Sequence, residues 1–68
     1  METPSFTALI AQAVTEAARR GGGVRIQRLD GGWETSIAVG ERRLAIVRDE
    51  YLEAALMRLN ARARVAAR

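Results

Sequence analysis

Residues 24–47, VRIQRLDGGWETSIAVGERRLAIV, decide the fold of this chain. The stretch alternates apolar and polar side chains and is rich in β-branched residues, as is typical of strands with one buried face. Asp30-Gly31 and Gly40-Glu41 interrupt the alternation, and they are typical of a type I′ and a type II′ turn respectively. We therefore predict three antiparallel strands, at residues 24–29, 32–39 and 42–47.

Two-residue turns fix the register of the predicted sheet, because a shift of one residue would turn every side chain to the other face. In this register Val24 lies opposite Ile37, which lies opposite Leu44. Ile26 lies opposite Thr35, which lies opposite Ile46. These residues form the inner, apolar face. The outer face carries Arg25, Gln27, Glu34, Ser36, Arg43 and Ala45.

An amphipathic helix is predicted on each side of the strands, at residues 4–20 and 49–66. Apolar residues of both segments follow the i, i+3, i+4 spacing of a helix with one buried stripe. The first stripe comprises Phe6, Leu9, Ile10, Ala13, Val14 and Ala17. The second comprises Leu52, Ala55, Leu56, Leu59, Ala63 and Ala66. Thr3 and Asp49 are the predicted N-caps, Gly21 is the predicted C-cap of the first helix, and Asn60 is expected on the outer side of the second.

The predicted fold class is therefore α+β, in the order α-β-β-β-α. A three-stranded antiparallel meander has one apolar face, so both helices must pack on that face. Residues 1–68 form a single small domain.

The composition excludes most catalytic and metal sites. The 68 residues contain neither cysteine nor histidine, so a zinc finger, a thiol nucleophile and a Ser/His/Asp triad are impossible. The carboxylates show no catalytic or calcium-binding spacing, and Gly21, Gly22 and Gly23 lack the pattern of a phosphate-binding loop. We expect no enzymatic activity, no cofactor, no metal and no small-molecule substrate. The chain has neither a membrane-spanning stretch nor a signal-peptide pattern, so we expect a cytoplasmic protein.

Basic residues are concentrated at the end of the chain. All 11 are arginine, against 8 acidic residues, which gives a net charge of +3. Residues 54–68 contain no acid. In the predicted register, Arg28 and Arg48 also flank Trp33, and arginine with an aromatic ring is a common platform for nucleic acid. The candidates for a nucleic acid or an acidic partner are Arg28, Trp33, Arg48, Arg58, Arg62, Arg64 and Arg68. A purely structural role is the other interpretation of these residues. The arginines of the last helix would then complement its dipole, and the aliphatic stems of Arg28 and Arg48 would cover Trp33.

A second apolar stripe follows the last helix on the side opposite its core stripe. It comprises Ala54, Met57, Ala61 and Val65. Small residues with one methionine allow close and adaptable helix packing, so these residues are candidates for a protein interface, and a self-complementary stripe would give an antiparallel homodimer. Alanine is also common on exposed helices.

The element order resembles that of the double-stranded-RNA-binding domain, a topology shared by small bacterial messenger-RNA-cleaving toxins of the HicA type. At the start of its last helix that domain carries lysines where this chain has Arg48-Asp49-Glu50, and the toxins depend on a histidine. The Asp30-Gly31 hairpin between two helices and the arginine-rich end also resemble phage head-completion proteins of the lambda W type, although those have no third strand.

The sequence therefore favours a small binding or adaptor protein, of bacterial or phage origin, that acts through protein contacts of its last helix. A nucleic-acid-binding module is the alternative. A phage-encoded inhibitor of a host system and a phage head–tail assembly protein are further alternatives.

Overall fold

The first helix, α1, comprises Phe6–Arg19 in the computed structural model, which describes the backbone of residues 5–66. Ser5 is its N-cap, because the Ser5 hydroxyl accepts a hydrogen bond from the Ala8 amide at 3.1 Å; the predicted cap Thr3 lies outside the described residues. The amides of Gly21 and Gly22 bond back to the carbonyls of Ala18 and Ala17, and Gly21 has a φ of +74°. This pairing is the Schellman motif that glycine favours at a helix C-terminus.

The strands form one antiparallel sheet in the order β1-β2-β3. Their bounds are Gly23–Leu29, Gly32–Val39 and Arg42–Asp49. The second helix, α2, comprises Leu52–Ala66. The structure confirms the predicted α-β-β-β-α order, with both helices in contact with the sheet.

The first hairpin has the predicted register, since Val24 pairs with Ile37 and Ile26 with Thr35. Its turn is of a different type. Gly31 has a φ of +81°, but no residue other than glycine has a positive φ in the described part of the chain. Asp30 therefore does not adopt the first position of a type I′ turn, and the glycine alone provides the left-handed residue. In the second turn, Gly40 has a φ of +60°, as expected for the first position of a type II′ turn.

The predicted register of the second hairpin is wrong by one residue over most of its length. Ile37 pairs with Ala45 and Thr35 with Val47, because one extra residue of β3 forms a bulge opposite the Ile37/Ala38 step. Ala45 and Val47 consequently lie on the helix-covered face. Leu44 and Ile46, predicted to face inward, are 40% and 36% exposed.

The ladder between β2 and β3 also continues further than predicted. Trp33 pairs with Asp49, so β3 extends to a residue that was expected to cap the last helix. The prediction of a helix start at Asp49 is therefore wrong, and α2 begins three residues later.

The core lies between the sheet and both helices and contains several small residues. Its buried members are Leu9, Ala13, Ala17, Ile37, Val47, Ala55, Leu56, Leu59 and Ala63. Phe6 and Val14, predicted in the inner stripe of α1, are 41% and 50% exposed. Buried Thr35 lies within hydrogen-bonding distance of the Ala55 carbonyl of α2, at 3.3 Å.

Asn60 corrects the prediction for α2, because its side chain is buried instead of lying on the outer side. Its Nδ2 donates to the Leu9 carbonyl of α1 at 3.2 Å. Its Oδ1 is buried with no hydrogen-bond partner among the described residues. The α1–α2 contact therefore includes one polar side chain that is only half satisfied.

Candidate interaction surfaces

The outer face of α2 presents the second apolar stripe to solvent. Met57 is 44% and Val65 72% exposed. Ala61 is exposed and Ala54 half-buried. On a helical projection these residues lie opposite the buried group formed by Ala55, Leu56, Leu59 and Ala63. The predicted interface residues thus share one exposed face.

Two arginines of α2 bind the outer edge of β3. Arg62 Nη1 donates to the Ile46 carbonyl at 2.7 Å. Arg58 Nη1 lies 3.1 Å from Asp49 Oδ2 and 3.4 Å from the Arg48 carbonyl. These guanidiniums link α2 to the sheet. Arg64 Nε lies within 3.4 Å of the Asn60 carbonyl, one turn earlier. Arg68 lies outside the described residues.

The predicted Arg28/Trp33/Arg48 cluster is half formed. Arg28 pairs with Trp33, and its guanidinium carbon lies 5.5 Å from the centre of the indole ring, within the range of a cation–π contact. The residue opposite Trp33 on β3 is Asp49, not Arg48. The bulge in β3 places the Arg48 side chain on the opposite face, so the prediction of Trp33 between two guanidiniums is wrong.

Arg48 instead takes part in an ion-pair cluster on the outer face of the sheet. Its Nε lies 2.8 Å from Glu34 Oε2, and Arg43 Nη1 lies 3.4 Å from Glu34 Oε1. Glu34 is only 5% exposed although it lies on the face that the helices leave open. The sequence does contain a signal for this cluster, a glutamate on the central strand with arginines on the neighbouring strand. The ion pair with Arg48 could be predicted only with knowledge of the bulge, because the bulge places Arg48 on the same face as Glu34.

A shallow cleft of about 310 Å³ lies at the end of the sheet near Trp33. It is lined by Leu29, Asp30, Gly31, Gly32, Trp33, Arg48 and Asp49. The Tyr51 amide donates to the Asp49 carboxylate at 3.1 Å and Arg58 lies beside it, which together hold the pKa of Asp49 below its ordinary value. Asp49 is therefore an anion bound to its own chain, and it brings negative charge to a cleft where an arginine–aromatic platform for nucleic acid was predicted.

Neither helix in the described residues is long and apolar enough to cross a membrane. Across residues 5–66 no three acidic, histidine or cysteine side chains are grouped as a metal site would require. Comparison of the chain with models of known families, with curated proteins and with solved structures finds no significant match.

Proposed function

We propose that this chain is a small, non-enzymatic, cytoplasmic binding module that acts through protein contacts of the outer face of α2. The observation that carries the proposal is the exposure of Met57 and Val65 on the face opposite the core. An exposed apolar stripe on a helix whose other face is buried is typical of a docking surface.

The charges that flank the stripe favour a second copy as the partner. Glu53 and Arg64 are eleven residues apart, close to three full turns, so they lie on one flank about 16 Å apart. In an antiparallel pair related by a two-fold axis, Glu53 of each copy would lie beside Arg64 of the other. The other flank carries Arg58, whose charge is partly neutralised by Asp49, and Arg62, which is bonded to the Ile46 carbonyl.

The test is the molar mass in solution, measured by light scattering during size-exclusion chromatography over a hundredfold range of concentration. We expect the mass to rise from monomer to dimer. Met57→Asp should remain monomeric, because it places a charge in the apolar contact. Glu41→Asp, a change in the exposed β2–β3 turn, is the control that should leave the dimer intact.

Charge exchange tests the orientation of the dimer. Glu53→Arg and Arg64→Glu should each weaken it, whereas the double variant should restore it because the ion pair is re-formed with its signs exchanged. A wild-type chain that remains monomeric at every concentration would contradict the self-association proposal.

Nucleic-acid binding is the second candidate, favoured by the contact of Arg28 with Trp33 at the edge of the cleft. The sequence also predicted nucleic-acid contacts for Arg48, Arg58 and Arg62. Their guanidinium groups are less available for such contacts, because each is already bonded within the chain. Fluorescence anisotropy of a labelled single-stranded oligonucleotide at increasing salt would separate the candidates. A nucleic-acid binder should lose affinity with a log–log slope of about −0.7 per phosphate contact.

A further inference from the structure

We propose that the outer edge of β1 is a second docking site, separate from α2, which takes an extended acidic segment of a partner protein as a fourth strand. The two edges of the sheet differ in how they are covered. At the β3 edge, Arg62 binds the Ile46 carbonyl at 2.7 Å and Arg58 lies near the Arg48 carbonyl. In the described part of the chain, no corresponding hydrogen bond reaches the outer edge of β1.

The register specifies which backbone groups β1 offers. Leu29 and Gly32 close the first turn and pair across it. Because hydrogen-bonded and non-hydrogen-bonded pairs alternate in an antiparallel ladder, the amides and carbonyls of Val24, Ile26 and Arg28 point away from β2. Three alternate residues therefore present donors and acceptors to an added strand.

The side chains around this edge combine apolar surface with positive charge. Ile26 is 38% exposed and lies on the helix-covered face, because it pairs with Thr35. The helix α1, which contacts β1, carries Phe6 and Val14, and these residues are 41% and 50% exposed. Arg25 and Arg28 are exposed on opposite faces of β1, and neither is within ion-pair distance of a carboxylate in residues 5–66.

The charge decides the choice of occupant. Pairing β1 with β1 of a second copy would bring four guanidiniums into one ladder, which disfavours self-association. An acidic strand would pair with Arg25 on one face and with Arg28 on the other. The partner that fits is therefore an extended segment with acids opposite these arginines and an apolar side chain opposite Ile26.

The experiment uses a peptide with this pattern, acetyl-Thr-Glu-Thr-Val-Glu-Val-Thr-amide, and a control in which lysine replaces both glutamates. Titration into the Met57→Asp variant keeps the α2 face out of the measurement. Amide hydrogen exchange measured by NMR is the readout. We expect the acidic peptide to slow exchange at Val24, Ile26 and Arg28, while Arg25 and Gln27 are already protected by pairing with β2.

Charge variants test the choice of partner. Arg25→Glu and Arg28→Glu should each weaken binding of the acidic peptide about fivefold or more. Arg42→Glu makes an equal charge change at an exposed position of β3, and it should weaken binding of the peptide less.

Three outcomes would overturn the proposal. Unchanged exchange at the three β1 amides with millimolar acidic peptide would remove the site, and equal binding of the lysine peptide would remove its acidic specificity. If protection of these amides from exchange rises with protein concentration in the absence of peptide, the edge binds a second copy of the chain instead. None of these readouts depends on dimerisation through α2, so this proposal and the proposed function can fail separately.

Discussion

At the residue scale, the adjacent glycines Gly21, Gly22 and Gly23 differ in how strongly the structure requires a glycine. Gly21 has the left-handed backbone of the α1 C-terminus. A Cβ on Gly22 would overlap the Ala38 carbonyl oxygen, whereas a Cβ on Gly23 would meet no atom within 4 Å. Close packing against the sheet, more than flexibility, therefore explains the middle glycine.

This difference predicts opposite effects of the same substitution. Gly22→Ala should lower the free energy of unfolding by about 1–3 kcal/mol, because the loop between α1 and β1 must move away from the Ala38 backbone of β2. Gly23→Ala should raise it by about 0.5 kcal/mol, because the unfolded chain loses conformational freedom. Urea unfolding followed by Trp33 fluorescence measures both. Equal effects at the two positions would contradict the packing argument.

Asn60 gives a second prediction at this scale, because its Nδ2 is bonded and its Oδ1 is not. Asn60→Leu should change the free energy of unfolding by less than about 1 kcal/mol, since it removes an unsatisfied polar atom together with one hydrogen bond. Asn60→Asp, which is nearly isosteric, should cost about 3 kcal/mol at neutral pH because it buries a charge facing the Leu9 carbonyl. Urea unfolding of both variants under one buffer condition is the measurement. A leucine variant as unstable as the aspartate variant would show that the bond to Leu9 dominates.

At the element scale, the junction between β3 and α2 depends on Asp49. Its pKa is lowered by the Tyr51 amide and by Arg58, so the ionised form stabilises the folded state. That stabilisation is present above the unfolded pKa of about 3.9 and is lost as the pH falls through the lower folded pKa. Asp49→Asn should therefore be less stable than wild type near neutral pH, and the difference should vanish in acid. Urea midpoints over a pH series measure it, with Glu41→Gln as control; a difference that persists in acid would exclude the charge as its cause.

The contact between α2 and the edge of β3 predicts a role for Arg62 in preventing aggregation. Arg62→Met should expose the Ile46 carbonyl and increase aggregation, because an uncovered strand edge pairs with other chains. Arg64→Met removes the same charge from the same helix but leaves the edge covered, so it should aggregate less. Light scattering during prolonged incubation compares the two variants. If the two variants aggregate equally, the loss of positive charge and not the uncovered strand edge is the cause.

The two hairpins show how far local sequence determines an element. Asp30-Gly31 determined the length and register of the first hairpin because only glycine easily adopts the required positive φ. Gly40-Glu41 determined the second turn equally well, but the bulge that follows it has no comparable sequence signal. The alternating pattern is compatible with two choices for the inner face of β3, either Leu44 and Ile46 or Ala45 and Val47. Packing against the helices favours the second pair, whose side chains are smaller. Arg48 consequently lies on the outer face instead of the predicted inner face. The ion-pair cluster of Glu34 with Arg43 and Arg48 could therefore not be predicted.

At the scale of the whole molecule, the core has little apolar side-chain volume. Ala13, Ala17, Ala55 and Ala63 are buried in it, while larger apolar side chains such as Phe6 and Met57 remain partly exposed. A domain of this size rarely gains more than roughly 3–5 kcal/mol from its core. Binding through α2 would therefore contribute a substantial fraction of the stability of the folded chain.

This coupling predicts that thermal stability depends on protein concentration. For a dimer that unfolds to two monomers, a hundredfold rise in concentration stabilises each chain by about 1.4 kcal/mol. At 68 residues this corresponds to a rise in Tm of about 10 °C. Met57→Asp should unfold at a Tm independent of concentration, whereas Glu41→Asp should behave like wild type. Differential scanning calorimetry over that concentration range makes the measurement, and a concentration-independent wild-type Tm would mean that α2 adds nothing to stability through self-association.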